Sequence, residues 1–392
     1  MIRIKFTSIS TFFGSLMLIC CLFDPQDLLL RMKIPFFILF IISVTVIKYF
    51  KKEDFNVPGE LFVFVFLFSV FLPALSSFVY YLRNDYSFSG YQGLLYLKAY
   101  IFLSLTFFLY FDRNRLLSVF IKLLLTLSIV TIVLFLISIS FPRYFNLIYS
   151  FGDKYGIYAM PVRQYGSLRY IGVYFHTAPI MVISFGYYLN RFIRKHGKSD
   201  FVCLFITLFS LLLSGTRNTV FSTILMTIVY YLIFSRNFNN RQLIMLAIFS
   251  VLIFFLPELI RIVYSRPASD NTRTLFVTEY YRIFKNPATL LFGQGFGSSF
   301  LSAERGIISV TELTYFETLR RFGLVFGLLQ FFLMFYPLAF WKTMPFDKKW
   351  IILAYAYYLF MIFFNPFYFS SNGMIILSFV LIAKYNFQEL DG

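Results

Sequence analysis

Residues 116–141, LLSVFIKLLLTLSIVTIVLFLISISF, hold one charged side chain, Lys122, in a run long enough to cross roughly 30 Å of hydrocarbon as a helix. Lys122 lies near one end, where its aliphatic stem can carry the ammonium to the interface. Apolar runs of the same kind recur on both sides. Together with the short charged segments between them, they predict helices at about 6–23, 34–50, 61–82, 93–111, 116–141, 170–190, 201–214, 218–235, 242–257, 322–341, 350–364 and 373–386. Composition agrees: hydrophobic residues fill 59% of the 392 positions, charged residues 14%, and mean hydropathy is +0.75. A soluble globular domain is excluded. The predicted fold is all-α, a polytopic integral membrane protein of about twelve transmembrane helices that form a single transmembrane domain over residues 1–392.

The first apolar run follows Arg3 and Lys5 as a signal peptide would, but it has no clear small-residue cleavage site and is expected to stay as the first helix. Cys20, Cys21 and Cys203 all fall inside apolar runs and read as small hydrophobes, with neither disulfide nor metal spacing. His176 and His196 are the two histidines, far apart and without a zinc pattern, so no metal or cofactor is predicted.

Charge sets the predicted orientation. With the N terminus in the cytoplasm, seventeen Lys and Arg residues fall in cytoplasmic segments, whereas the short outer loops keep Arg31, Lys33, Arg83 and Arg217. Both termini are then cytoplasmic. Two longer outer segments remain: a first long external loop at 142–169 with four basic residues, and a large external loop with short helices at 258–321 with eight. Long loops cross regardless of charge, and a cationic outer loop predicts an anionic partner. Membrane lipids are expected partners, and nucleic acid is not.

Four further stretches carry the candidate chemistry. RQYGSLRYIGVYFHTAPIMVIS (163–184) sets Arg163 and Arg169 before a helix expected near Tyr170, with His176 in its first turns. LLLSGTRNTVF (211–221) puts Arg217 at the hairpin between two helices. SDNTRTLFVTEYYRIFKNPATLLFGQGFGS (269–298) has Arg273 heading a helix and Gly293, Gly295 and Gly297 forming a tight turn; SVTELTYFETLRRFGLVFGLLQFFL (309–333) is a polar start running into the next span. Arginine stays charged and grips phosphate oxygens through paired bonds, so Arg169, Arg217 and Arg273 read as anion ligands. The competing reading is arginine snorkelling to lipid phosphates. Glu317 followed by Arg320 and Arg321 reads as a local helix ion pair, and Ser309 with Glu312 fits a helix capping box. Arg261, Arg266, Arg282, Lys285 and Arg305 read as a solvated loop face, and Gly323 with Gly327 as a close-packing helix face.

In this order the motifs resemble the bacterial O-antigen polymerase and O-antigen ligase superfamily, over about residues 160–386. The resemblance rests on Arg169, Gly172 and His176; on Ser214, Thr216 and Arg217; on Arg273, Pro287, Gly293 and Gly295; and on Glu312, Tyr315, Phe316, Gly323 and Gly327. It implies a membrane glycosyltransferase of the GT-C-like kind in the bacterial cytoplasmic (inner) membrane. The implied substrate is an undecaprenyl-pyrophosphate-linked oligosaccharide repeat unit, polymerised on the outer face into O-antigen or capsule-type polysaccharide. A chain-length regulator and a repeat-unit flippase are the implied partners. Glu312, standing where ligases of the family carry His, favours polymerase over a ligase acting on lipid A core. The roles implied are Arg169, Arg217 and Arg273 on the pyrophosphate, with Arg273 also stabilising the leaving group. Glu312 is the general base, and Glu279 a second choice although a surface position suits it better. His176, Arg163 and Tyr315 are further substrate contacts. Asp24 or Asp27 serving a polyprenyl-phosphate sugar donor is a variant reading, and a solvated loop explains both. A lipid-linked glycan flippase is a third possibility, disfavoured because two lysines and no acid lie inside the predicted spans.

Overall fold

The computed structural model describes residues 6–83, 97–112, 115–165, 168–214, 217–234, 267–303, 305–311, 313–364 and 368–385. Glu312, Arg261, Arg266 and the helix predicted at 242–257 lie outside the described residues. In chain order the helices are α1 (Phe6–Phe23), α2 (Lys33–Lys51), α3 (Gly59–Leu82), α4 (Leu97–Phe111), α5 (Arg115–Ser140), α6 (Phe145–Lys154), α7 (Met181–Lys195), α8 (Lys198–Leu213), α9 (Arg217–Phe234), α10 (Pro267–Phe284), α11 (Pro287–Phe292), α12 (Thr314–Phe335), α13 (Lys349–Met361) and α14 (Ser371–Ala383). Six short strands join them: β1 (Tyr158–Ala159), β2 (Val162–Tyr165), β3 (Leu168–Ile171), β4 (Tyr174–Phe175), β5 (Phe300–Ser302) and β6 (Gly306–Ile308). They form the antiparallel pairs β1–β4, β2–β3 and β5–β6.

The described chain is mostly helical, as predicted, and several of its apolar helices have the length and composition to cross a membrane. Among the described residues, α2, α3, α5 and the segment Thr314–Lys342 are long and apolar enough to cross a membrane. Shorter apolar helices run over Ile9–Phe23, Leu97–Phe111, Asn218–Phe234 and Ser371–Ala383. The predicted helix at 170–190 starts late, at Met181, after a 3-10 turn at Ala178–Ile180. Gly172 and Pro179 are the reason. Proline suits only the first turn of a helix and biases the residue before it away from helical geometry, so the aromatic and β-branched residues ahead of it pair as strands. Within α3, Pro73 lacks an N–H for the helical ladder, and the ladder widens to a π turn at Leu67–Phe71 just before it.

The chain divides into two compact units, one of 1–40, 115–266 and 346–361, the other of 41–114, 267–345 and 362–392. In the first unit α7 is the central element and packs on α5, α8, α9 and α13. Its buried face runs almost without interruption from Met181 to Asn190. Gly186 makes this possible, since a Cβ there would stand 2.5 Å from both Met226 Cε and the Tyr230 hydroxyl. Tyr230 in turn donates to the Trp350 carbonyl at 2.5 Å, tying α9 to α13. Asp24, at the end of α1, is fully buried and accepts backbone N–H groups from Leu28, Leu29 and Leu30 at 3.0, 3.1 and 2.7 Å. It is a structural carboxylate that shapes the turn, which removes the solvated-loop account given above for this residue.

In the second unit α4 packs on α14, with Thr106 Oγ1 donating to Ser378 Oγ at 2.9 Å in the core. Its central feature is a reversal inside α12. Tyr315 and Phe335 would stand about 30 Å apart in a straight helix at about 1.5 Å per residue. Their rings stack at 6.1 Å, and Tyr315 also meets Phe331 at 5.7 Å. The helix folds back on itself at Gly323, whose φ of +68° is left-handed. A polar arm, 314–322, lies against an apolar arm, 324–335. Gly327 lets them approach, since a Cβ there would sit 3.2 Å from Leu319 Cδ2. The predicted span at 322–341 therefore corresponds to the apolar arm.

Candidate functional site

The polar segment 267–323 folds around residues that its sequence places for local reasons. Asn286 caps α11 through its side chain, accepting from Ala288 N at 3.0 Å and Thr289 N at 3.4 Å, with Pro287 at the first helical position. Ahead of it, Phe276 and Tyr280 of α10 are fully buried with Leu313, and Ile283, Phe284, Ile308 and Phe316 close over them. Arg273, one turn before Phe276, thus rides on a helix fixed by its own small core. It lies inside α10 and does not head it, because the helix already begins at Pro267.

Beneath that core lies a buried charge cluster. Arg320 and Arg321 are 0% and 1% exposed and Glu317 is 2% exposed. Glu317 Oε1 accepts from Arg320 Nη2 at 2.5 Å and from Arg321 Nε at 2.7 Å; Oε2 accepts from Arg320 Nε at 3.0 Å. The predicted local ion pair is present, and it is buried rather than solvated. Every Arg320 nitrogen is engaged: Nη1 reaches Gln294 Oε1 at 2.9 Å and Ser298 Oγ at 2.7 Å, and Nη2 also reaches the Ser309 carbonyl at 2.9 Å. Arg321 Nη2 donates to that same carbonyl at 3.2 Å. Tyr280 donates to Glu317 Oε2 at 2.8 Å and so receives the proton of Thr311 Oγ1, which lies 2.5 Å away. Burial first, and then the Glu317 carboxylate, push the Tyr280 hydroxyl far above its ordinary range, so it remains a proton donor.

This cluster holds Ser309 and Thr311, on the N-terminal side of Glu312, while Leu313 beyond it is buried in the small core. Glu312 itself lies outside the described residues. The capping box does not form: α12 begins at Thr314, its N-cap is Leu313 without a side-chain cap, and Ser309 uses its carbonyl to receive two guanidinium groups. Arg320 and Arg321 claim that carbonyl because a buried guanidinium needs all its donors satisfied.

The Gly-rich turn closes against the reversal. Gln294 N donates to the Arg320 carbonyl at 2.6 Å and Gly295 N to the Arg321 carbonyl at 3.1 Å, taking up acceptors that the broken helix leaves open. Gly293 and Gly323 meet backbone to backbone, and a Cβ on Gly323 would lie 2.3 Å from the Leu291 carbonyl oxygen. Ser76 and Arg83 of α3 complete the junction: Ser76 Oγ donates to the Arg321 carbonyl at 2.9 Å, and Arg83 Nη1 to Thr289 Oγ1 and the Gly293 carbonyl at 2.8 and 2.7 Å. The turn predicted at the glycines is real, and its partner is the reversal of α12.

The remaining predicted residues separate. Glu279, expected on the surface, is buried and accepts the Ala303 N–H at 2.8 Å, pinning the β5–β6 hairpin to α10. Its position one residue before Tyr280 turns it inward at the edge of the small core. Tyr315 packs among Phe331, Phe335 and Phe363 and serves the helical hairpin. Arg282, Lys285 and Arg305 are exposed, as predicted. In the first unit, Arg163 stands opposite Tyr170 and Arg169 opposite Gln164 in the β2–β3 hairpin, so neither borders a helix start. Arg217 is the first residue of α9, at the predicted break between two helices. His176 follows β4 instead of entering a helix; its N–H bonds to the Ile157 carbonyl at 3.1 Å. Burial lowers its pKa, and Asp153 partly opposes the shift. That Tyr280 joins Glu317, Arg320 and Arg321 in one buried network is not expected from the sequence. The available signal was the i, i+3, i+4 charge triplet directly before Gly323. Comparisons with protein-family models, curated proteins and solved structures find no match to this chain.

Proposed function

We propose that this protein is a membrane glycosyltransferase that polymerises undecaprenyl-pyrophosphate-linked oligosaccharide repeats on the outer face of a bacterial cytoplasmic membrane. One observation carries the reading: Arg273, and the residues on both sides of Glu312, are held on a rigid support made by the buried Glu317–Arg320–Arg321 cluster and the reversed helix α12. Catalytic groups need such support, because a small displacement removes most of their effect. In the proposed reaction the acceptor sugar hydroxyl attacks the anomeric carbon of the donor. Its oxygen forms the new glycosidic bond, its proton passes to Glu312, and the bond to the lipid pyrophosphate breaks with inversion. The leaving pyrophosphate gains negative charge, which Arg273 stabilises through paired hydrogen bonds. Arg169 and Arg217 read, on sequence grounds, as further anion ligands of the chain. That Arg217 opens a helix supports this, since a cation there strains the helix alone while both favour an anion.

A lipid-linked glycan flippase is the second reading, because a buried acid, Glu317, does lie in the segment that includes a candidate span. Saturation of Arg320 by protein acceptors argues for a scaffold role instead. The two readings part on purified protein supplied with lipid-linked repeats. Lengthening by single repeats, lost in Arg273→Ala and Glu312→Gln, supports polymerisation. Translocation without lengthening would replace it with the flippase reading, and transfer to lipid A core alone would replace it with ligase activity.

A further inference from the structure

The first unit contains a cavity of about 780 Å³ at the C-terminal ends of α1 and α5, closed on its other side by α6 and the β1–β4 hairpin. Its walls are apolar, with Val130 and Leu134 from α5, Leu147 and Phe151 from α6, and Phe175 from β4. Lys154, at the end of α6, is the one charged lining residue among the described residues. Its ammonium lies 5.3 Å from the centre of the Tyr155 ring, and the side chain is exposed. The back wall is rigid. Tyr158 donates to the Ile148 carbonyl at 2.9 Å, and α6 approaches β1 so closely that a Cβ on Gly152 would stand 2.4 Å from the Tyr158 ring.

Two features identify the occupant. Beside the lining residues Val130 and Leu134, Ile129, Val133 and Leu136 of α5 are 42%, 45% and 53% exposed, as on a helix face turned to hydrocarbon. Helix α6 is amphipathic, with Leu147 70% exposed and Tyr144, Ile148, Phe151 and Tyr155 at the same helical spacing, the pattern of a helix lying in the membrane interface. A cavity of this size, beside exposed apolar surface of α5 and carrying Lys154 at the polar end of α6, suits an acyl chain below and one negative charge above. A pyrophosphate would call for arginine forks, and the lining supplies a single lysine.

We propose that this cavity is a binding site for one anionic phospholipid of the surrounding bilayer, with an acyl chain between α5 and α6 and its phosphodiester on Lys154. The site is independent of the glycosyltransferase reading. Native mass spectrometry of the full chain, offered equal amounts of phosphatidylglycerol and phosphatidylcholine, tests it. One phosphatidylglycerol should be retained about fivefold over phosphatidylcholine, the worth of one basic residue at a membrane surface. Lys154→Gln should bring the two lipids to parity, Lys154→Arg should keep the preference, and Leu134→Trp, which fills the cavity, should lose retention of both. Because Lys154 is exposed, its substitutions leave folding intact and keep the test decisive if Leu134→Trp misfolds. Equal retention of the two lipids by the unaltered protein overturns the proposal, and so does an undiminished preference in Lys154→Gln. Displacement of phosphatidylglycerol by an equimolar polyprenyl pyrophosphate overturns the choice of occupant.

Discussion

Segments 142–180 and 267–323 read alike in sequence, as long polar interruptions between apolar helices, and they fold in different ways. The first is thin: an amphipathic helix followed by two short β pairs, held by backbone hydrogen bonds and by the Tyr158 and Phe175 rings. The second builds its own core around Phe276 and Tyr280 and a buried ionic cluster, then ties both to a helix reversal. Arginines of the second segment are divided between a buried scaffold, Arg320 and Arg321, and exposed positions such as Arg282 and Arg305. Basic residues in one stretch of sequence therefore do unlike work. A guanidinium removed from water is retained only where a carboxylate and several oxygens receive it, and that requirement organises the fold around it.

The sharpest way to break this contrast is Glu317→Gln, which leaves two buried guanidinium groups without their carboxylate and should cost about 3–5 kcal/mol. Thermal melting of the purified protein reads it, and a change below about 0.5 kcal/mol would show the cluster to be dispensable. Gly323→Ala comes next. Left-handed backbone there costs an alanine about 1–3 kcal/mol, and the contact with the Leu291 carbonyl adds to it, so trypsin should cleave the 267–323 segment faster. Tyr280→Phe, which removes the hydroxyl shared by Glu317 and Thr311, should cost about 1–3 kcal/mol in the same melting assay.

In the thin segment, Arg143→Gln, at an exposed position in the 3-10 turn ahead of α6, should move stability by less than about 0.5 kcal/mol, and a larger loss would refute its description as thin. The smallest effect concerns pH. Burial holds His176 below its ordinary pKa of 6.5, so the folded state binds fewer protons than the unfolded chain. Its contribution is complete above that value and is lost as pH falls through the window below it. Melting temperature should decline between about pH 7 and about pH 5.5, and less steeply in His176→Asn.

Much of the architecture was legible from period and composition. The long apolar runs became α2, α3 and α5 with boundaries close to those expected, because hydrocarbon-length runs leave the backbone only the helix. Gly293 ends a helix as expected, whereas the single helix expected from Arg273 is two, because Asn286 caps and Pro287 opens α11 as a separate helix. The helix expected from Tyr170 failed because Pro179 delays it, and strand pairing across 158–175 depends on partners that helical periodicity does not register. Glu279 and Asp24 were misread for a related reason. A single carboxylate looks solvated in sequence until the N–H groups that bury it are brought to it from elsewhere in the chain. The ion pair Glu317–Arg320–Arg321 was legible because its spacing is local, but its burial was not.

By itself the sequence determined that the chain is mostly helical, that α2, α3 and α5 are long and apolar enough to cross a membrane, and which polar stretches interrupt the apolar runs. Each follows from local pattern and from the cost of exposing backbone to lipid. Tertiary structure alone decided that α12 reverses at Gly323, that Arg320 and Arg321 leave water while Arg282 and Arg305 remain in it, and that α5 and α6 enclose a cavity with Lys154 at its edge. Those outcomes depend on backbone carbonyls, a carboxylate and aromatic walls brought in from distant positions, and the free energy of burying a charge or opening a cavity is set by that assembled surrounding.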